Sequence, residues 1–191
     1  MIARCVRVLV LMAVLWTAVF AAPRQAHGAD AVEVQAAHLE PDAPAGGWLL
    51  VADFVLPLPG RLADAINRGV ALYFTVDFEL TRSRWYWWDE RVLQTSRTYR
   101  VSYHALTRQY RLTLDGLGRS FESLEDLLAA LSRLRGWRVI QTDQVRGGTE
   151  YEAQVRMRLD TSLLPKPFQV SAITNRDWTL QAEWRRFKFT P

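Results

Sequence analysis

Seven consecutive residues, Arg84-Trp85-Tyr86-Trp87-Trp88-Asp89-Glu90, set four aromatic rings between a cation and two carboxylates. In an extended chain successive side chains point to opposite faces, so Trp85 and Trp87 share one face while Tyr86 and Trp88 share the other. Flat rings bordered by charge stack on sugars or anchor a protein partner. The competing assignment packs all four rings, one pair in the core and one pair under another element. The whole segment, Arg84 to Glu90, is the candidate binding site.

Two pairs of carboxylates invite comparison with acid/base chemistry: Asp89 with Glu90, and Asp77 with Glu79. Glycoside hydrolysis needs two carboxyl groups facing each other across a cleft. Adjacent residues of one strand point apart, and residues two apart point the same way. A solvated face, or ion pairs to Arg82 and Arg84, accounts for these acids better. His38 and His104 are isolated, with no HxH or HExxH spacing, and fit hydrogen-bonded surface histidines rather than metal ligands. No G-x-S-x-G elbow and no Walker loop occurs. Gly116-Leu117-Gly118 fits a turn, and Gly147-Gly148 a hairpin turn between two strands. The sequence therefore points to a non-enzymatic protein without cofactor or metal.

Arginine dominates the cations: 22 Arg against two Lys, Lys166 and Lys188. Arg100, Arg111, Arg156 and Arg158 fall on predicted outward strand positions. They would form a basic stripe if their strands were neighbours. Pairs such as Glu152 with Arg156 are the plainer expectation.

The elements that must position these residues are mostly strands. Val70 to Leu80 alternates, with Val70, Leu72, Phe74, Val76, Phe78 and Leu80 on one side and Ala71, Tyr73, Thr75, Asp77 and Glu79 on the other. Tyr151 to Leu159 repeats the pattern. So do Tyr99-Val101-Tyr103 and Tyr110-Leu112-Leu114, taken at every second residue. Trp178, Leu180, Ala182 and Trp184 share a face, and Phe187 and Phe189 resume one residue out of phase, a slip that predicts a β-bulge at Arg185-Arg186. Weaker strands are predicted at Val32–Leu39, Trp48–Leu56 and Trp137–Thr142. Leu124, Leu127, Leu128, Leu131 and Leu134 carry helical spacing, with Ser123 as cap and Gly136 as stop. A shorter helix is predicted over Pro59–Arg68, ending at Gly69. Pro165-Lys166-Pro167 reads as an extended edge or crossover, and Asn175-Arg176-Asp177 as a turn. The sum is a mainly β fold: an antiparallel β-sandwich or strongly curved sheet of about eight strands with two short helices.

The chain has 191 residues, 49% of them apolar and 12% aromatic. That composition excludes disorder, coiled coil and collagen-like repeats. Residues 1–28 read as a secretory signal. Arg4 and Arg7 precede an apolar run from Val8 to Ala22, and Ala26-His27-Gly28 supplies small residues for cleavage. The run is short of the roughly 20 residues of a membrane span. Contact with the membrane is expected only where the segment stays uncleaved. Cleavage removes Arg4, Arg7 and Arg24 from 24 cations and none of the 20 acids, leaving a net charge of +1. That is weak support for a nucleic-acid partner, and none is expected. Cys5, the only cysteine, lies within the leader, so the exported chain has no disulfide or thiolate site. Residues 29–191 are expected to form one β-rich domain in the periplasm.

The middle of the chain carries a resemblance. Leu58-Pro59, Ala65-Ile66-Asn67-Arg68-Gly69-Val70-Ala71-Leu72-Tyr73-Phe74, Phe78-Glu79-Leu80-Thr81-Arg82 and the aromatic run to Asp89-Glu90 are followed by Leu164-Pro165-Lys166-Pro167-Phe168-Gln169-Val170 and Asn175-Arg176-Asp177-Trp178. Together they resemble DUF4390, a family of exported proteobacterial proteins without assigned activity. Members are often encoded beside a nitrogen-regulation-type sensor histidine kinase. The resemblance implies an envelope protein partner, such as a membrane sensor kinase, and assigns no catalytic residue. The expectation is a non-enzymatic periplasmic binding module accessory to such a kinase. A glycan- or peptidoglycan-binding module using the Trp-rich segment is the alternative.

Overall fold

The computed structural model describes residues 32–82, 90–175 and 178–191. Among the described residues nine strands form two antiparallel sheets that do not close into a barrel, and three short helices accompany them. The three-stranded sheet has the order β1-β2-β7, with β1 Glu33–Pro41, β2 Trp48–Val55 and β7 Arg133–Ile140. The six-stranded sheet has the order β6-β5-β4-β3-β8-β9. Its strands are β3 Leu72–Arg82, β4 Glu90–His104, β5 Gln109–Leu114, β6 Leu117–Phe121, β8 Tyr151–Leu159 and β9 Arg185–Phe189. The expected mainly β architecture is the observed one, with one strand and one helix more than the alternation implied.

Alternation in β3 explains why it sits at the centre. Leu72, Phe74, Val76, Phe78 and Leu80 are all fully buried, and they pack with Leu50 and Phe54 of β2 and with Val155 and Met157 of β8 in one continuous core. The three-stranded sheet covers the β8–β9 side; Trp48, for example, meets Phe189 edge-on with ring centroids 5.3 Å apart. Helices close the other side. Helix α1, Gly60–Asn67, buries Leu62, Ala65 and Ile66, whose spacing brings them to one side. Gly69 follows at φ 87°, a left-handed stop that a side chain resists. Helix α2, Leu124–Leu131, starts where the Ser123 hydroxyl accepts the Asp126 N–H at 3.0 Å, with Glu125 and Asp126 in its first turn.

Several expectations need correction. The helical pattern of leucines does not run on to Leu134: the chain leaves α2 after Leu131 and enters β7, where Leu134 is buried as a strand residue. Gly136, at φ 67°, lies inside β7 at a register irregularity against β2, not at a helix end. Pro165-Lys166-Pro167 is not an extended edge. Pro165 has the φ of −56° and ψ of 143° of a residue preceding a helix, and α3 runs from Lys166 to Thr174. First-turn N–H groups have no partner within the helix, so prolines there remove nothing. Gly147-Gly148 joins β7 and β8, which lie in different sheets, and is therefore no hairpin turn. Asp115-Gly116 is one. Both residues have positive φ, 50° and 83°, between paired Leu114 and Leu117. That conformation suits a two-residue hairpin, and it makes β6 a strand hidden behind a glycine-rich stretch.

The phase slip before β9 is real but lies earlier than Arg185-Arg186. Arg158 bridges Gln181 and Val155 pairs with Arg185, so four steps of the C-terminal chain face three of β8. The extra residue falls between Ala182 and Arg185. Trp178, Leu180 and Ala182 stay in the core, while Trp184 is turned to the opposite face beneath Arg156, its ring centroid 4.4 Å from the guanidinium.

Candidate functional site

Residues 84–89 of the aromatic segment lie outside the described residues. They join β3 to β4 between Arg82 and Glu90, which are register partners and form an ion pair. Glu90 is thus the one member of the predicted site that is placed: it opens β4 as a strand-end ion-pair partner. Arg176 and Asp177 of the predicted turn likewise lie outside the described residues. His38 bonds Glu40 at 3.1 Å and His104 bonds Thr107 at 3.1 Å, each within its own neighbourhood of the chain.

The outer face of the six-stranded sheet is not a solvated one at its centre. Thr75, Asp77 and Glu79 are buried. Among the described residues their partners stand on β8 and β4, and Arg82 is not one of them. Arg156 Nε and Arg158 Nε of β8 each donate to Asp77 Oδ2 at 2.9 Å, and Arg91 Nε reaches Glu79 at 3.0 Å. Thr75 and Thr98 share a hydroxyl bond at 2.9 Å across β3 and β4. Arg158 also holds Asp160 at 3.1 Å. Burial raises the Asp160 carboxyl, but bonds from Ser162 and Arg158 outweigh it and hold the group below its usual range. The four arginines expected to make a stripe do not form one. Strand β3, with Asp77 and Glu79, stands between Arg100 of β4 and Arg156 and Arg158 of β8. Glu152 faces Arg186 at 3.9 Å rather than Arg156. The buried acids here each hold a base of a neighbouring strand, so the array braces the sheet.

The inner face offers a different arrangement where β4, β5 and β6 run past the three-stranded sheet. The register places Leu93, Thr95, Arg97, Tyr99 and Val101 on the core side of β4, opposite Leu80, Phe78, Val76, Phe74 and Leu72. Leu112 of β5 continues the row opposite Val101, and Arg119 of β6 lies opposite Leu112. Helix α2 and the first residues of β7 stand over this end of the sheet and leave a groove of about 790 Å³. Such a volume lies within the range of small-ligand sites.

One wall of the groove is aliphatic: Leu112, Leu114 and Leu117 from the hairpin, with Ala129, Ala130 and Leu131 from α2. Leu117 is 80% exposed at the rim. The charged lining is Arg97, Arg119, Arg133 and Arg135 against Asp115 and Asp126. Arg135 is already committed to Asp53 at 2.6 Å and to the Ala52 carbonyl at 2.9 Å, and Asp126 accepts the Ser123 hydroxyl at 2.6 Å. Arg97 lies over the face of Trp137, 5.1 Å from its centroid, and Arg119 over Phe121 at 5.3 Å. Among the described residues no carboxylate stands within ion-pair distance of Arg97 or Arg119. Burial pushes the Tyr99 phenol above its ordinary value, although Arg97 beside it favours the phenolate.

Arg97 escaped sequence reasoning although the signal was present. Continuing the inward row of Tyr99, Val101 and Tyr103 back by two residues puts a guanidinium on the inner side of the strand, where it is half-buried. Nothing in the sequence alone brings α2 over β5 and β6 to form the other wall.

Two further facts bear on chemistry. Among the described residues no group of three or more His, Cys, Asp or Glu is placed to hold a metal ion. Among them, too, no helix is long and apolar enough to cross a membrane. The family model for DUF4390, a domain of unknown function, matches residues 29–188, and the chain belongs to that family. No curated protein and no solved structure matches it.

Proposed function

We propose that this DUF4390 protein is a non-enzymatic binding module of the cell envelope, exported by its N-terminal segment, and that the groove between α2 and the β4–β6 end of the large sheet is its binding site. The observation that carries this reading is the pair of arginines, Arg97 and Arg119, set on the inner face of the sheet beside an aliphatic wall, with no described carboxylate in ion-pair contact with either. Guanidinium groups stacked on aromatic rings are oriented donors that stay charged, and they suit recognition of an anion. The loaded and empty forms would be distinguished by a protein of the envelope, such as the extracytoplasmic part of a membrane sensor kinase. That assignment rests on the resemblance and the aromatic segment between Arg82 and Glu90.

The test is photo-crosslinking in cells from a photoreactive residue at position 117, on the groove rim, with a second copy of the experiment from position 87. Capture of a discrete envelope component from position 117 supports the groove. Capture of glycan strands from position 87, with none from 117, favours the alternative. An exported, folded protein that captures nothing from either position overturns the assignment of binding.

A further inference from the structure

We propose that the groove takes a single-chain amphiphile with an anionic head: the acyl chain lies along Leu112, Leu114 and Leu117 against α2, and a carboxylate or phosphate meets Arg97 and Arg119. The inference rests on the assignment of the groove as the binding site and adds the class of ligand.

Charge placement is the first argument. Strand β4 puts Arg97, half-buried, directly across from the fully buried Val76, in a row with the half-buried Tyr99 and the buried Val101. A half-buried guanidinium stacked on Trp137 keeps its charge and its outward N–H donors, and an anion beside it is favoured. The two aspartates of the lining do not supply it: Asp126 caps α2, and Asp115 sits in the hairpin turn without a bridge to either arginine. An arriving anion would complete what the chain leaves incomplete.

The shape of the wall is the second argument. Its apolar surface is aliphatic, with alanines at 129 and 130 where a larger side chain would fill the slot. The wall follows α2, whose eight residues span about 12 Å at the rise of an α-helix. That length suits a medium acyl chain laid beside the helix. A neutral sugar would leave the cation excess of the lining, four arginines against two aspartates, uncompensated, and would lay its hydroxyls against the aliphatic wall. A peptide fits poorly for another reason. The walls are a helix and the face of a hairpin, and the open backbone groups of the edge strand β6 point along the plane of the sheet rather than into the groove, so a peptide main chain lying there would lose water without gaining partners.

The experiment is displacement of a fluorescent probe, dansylated undecanoate, from the purified exported protein. The competitors are dodecanoate, dodecyl phosphate and the neutral dodecyl maltoside. One or both anions should compete at least about tenfold better than the neutral chain, a difference of about 1.4 kcal/mol, and the better of the two identifies the head group. Arg97→Met and Arg119→Gln should each weaken the anions by about tenfold while leaving the maltoside unchanged. Leu117→Asp should weaken all three. Arg119 and Leu117 lie on an exposed strand, so their variants decide the matter even where Arg97→Met disturbs folding. Equal binding of anionic and neutral chains, or arginine variants that bind the anions normally, overturns the proposal. Absence of displacement by any competitor overturns it too. If crosslinking from position 117 still captures an envelope protein, the groove remains a binding site and only the ligand class falls; if that also fails, both fall.

Discussion

Replacing Asp77 by Asn should destabilise the protein by about 2 kcal/mol, the scale of a buried, charge-assisted hydrogen-bond pair that is weakened rather than deleted. Asp77 Oδ2 accepts two such bonds of 2.9 Å, from Arg156 Nε and Arg158 Nε, and its side chain is only 9% exposed. Bonds of this kind contribute roughly 1.5–3 kcal/mol each when well shielded. Asparagine keeps an acceptor of the same shape at roughly half the strength, which sets the loss at about 1.5–3 kcal/mol for the pair. The arginine side chains are 24% and 29% exposed. Water therefore recovers part of that loss, and the lower half of the range applies. Arg158 still holds Asp160; Arg156 keeps the Trp184 ring. For a domain of this size, a loss of about 2 kcal/mol lowers the melting temperature by about 4–8 °C. The assay is urea and thermal unfolding of a double-mutant cycle, Asp77→Asn against Arg156→Gln. Once Asp77 is neutral, removing the Arg156 charge should cost less than about 0.5 kcal/mol, leaving a coupling above about 1 kcal/mol. If Asp77→Asn unfolds like the parent within about 0.5 kcal/mol, or the two substitutions simply add, the buried acid does not brace the sheet and the argument from the outer face is wrong.

Trp178 is buried, with its ring 5.5 Å from that of Phe168. Its replacement by Ala should cost about 3–5 kcal/mol, seen as an early urea midpoint with an unchanged slope. Asp160 has a depressed folded pKa, so it contributes stability that is present above its unfolded value and lost as pH falls through the folded one. Asp160→Asn should therefore flatten the acid limb of a stability–pH curve, and a limb as steep as the parent's would contradict the pairing with Ser162 and Arg158. Tyr99 has a phenol raised by burial, so its contribution is complete below the unfolded value and lost as pH rises through the folded one. Tyr99→Phe should delete a late component of the ultraviolet phenolate titration, and a profile identical to the parent's would contradict its burial.

What the sequence disclosed and what it withheld have separate physical causes. Strand alternation made β3 and β8 readable because each buries one face, and a period of two survives translation into structure. The capped helix at Ser123 was readable for a similarly local reason. Leu134 was misplaced because a leucine spaced for a helix is equally at home in a strand, and tertiary pairing with β2 decided the outcome. The prolines at 165 and 167 misled because their local effect depends on where the helix starts, which composition does not reveal. Strand β6 hid behind Gly116 and Gly118, residues that signal turns while forming the hairpin and its second strand. The groove was invisible for a non-local reason, since it depends on which elements cover the sheet's far end.

That dependence explains why a site arises there at all. Six strands present an inner face that three strands cannot cover. The β1-β2-β7 sheet lies over β8 and β9, and α1 seals part of β4, so among the described residues the cover for β5 and β6 is α2, a helix of eight residues. A domain selected only for stability would fill the remainder with apolar side chains or shorten the hairpin, because an uncovered apolar face is a liability. This chain keeps the hairpin, places alanines on the facing helix and sets Arg97 and Arg119 against aromatic rings within the gap. The outer face shows that the same sheet pairs its buried acids when bracing is the task, since Asp77 takes two arginines there. The contrast between the buried acids of the outer face, each held by arginine, and the two arginines stacked on rings beside an aliphatic wall in the gap is the physical ground for placing ligand recognition in the groove.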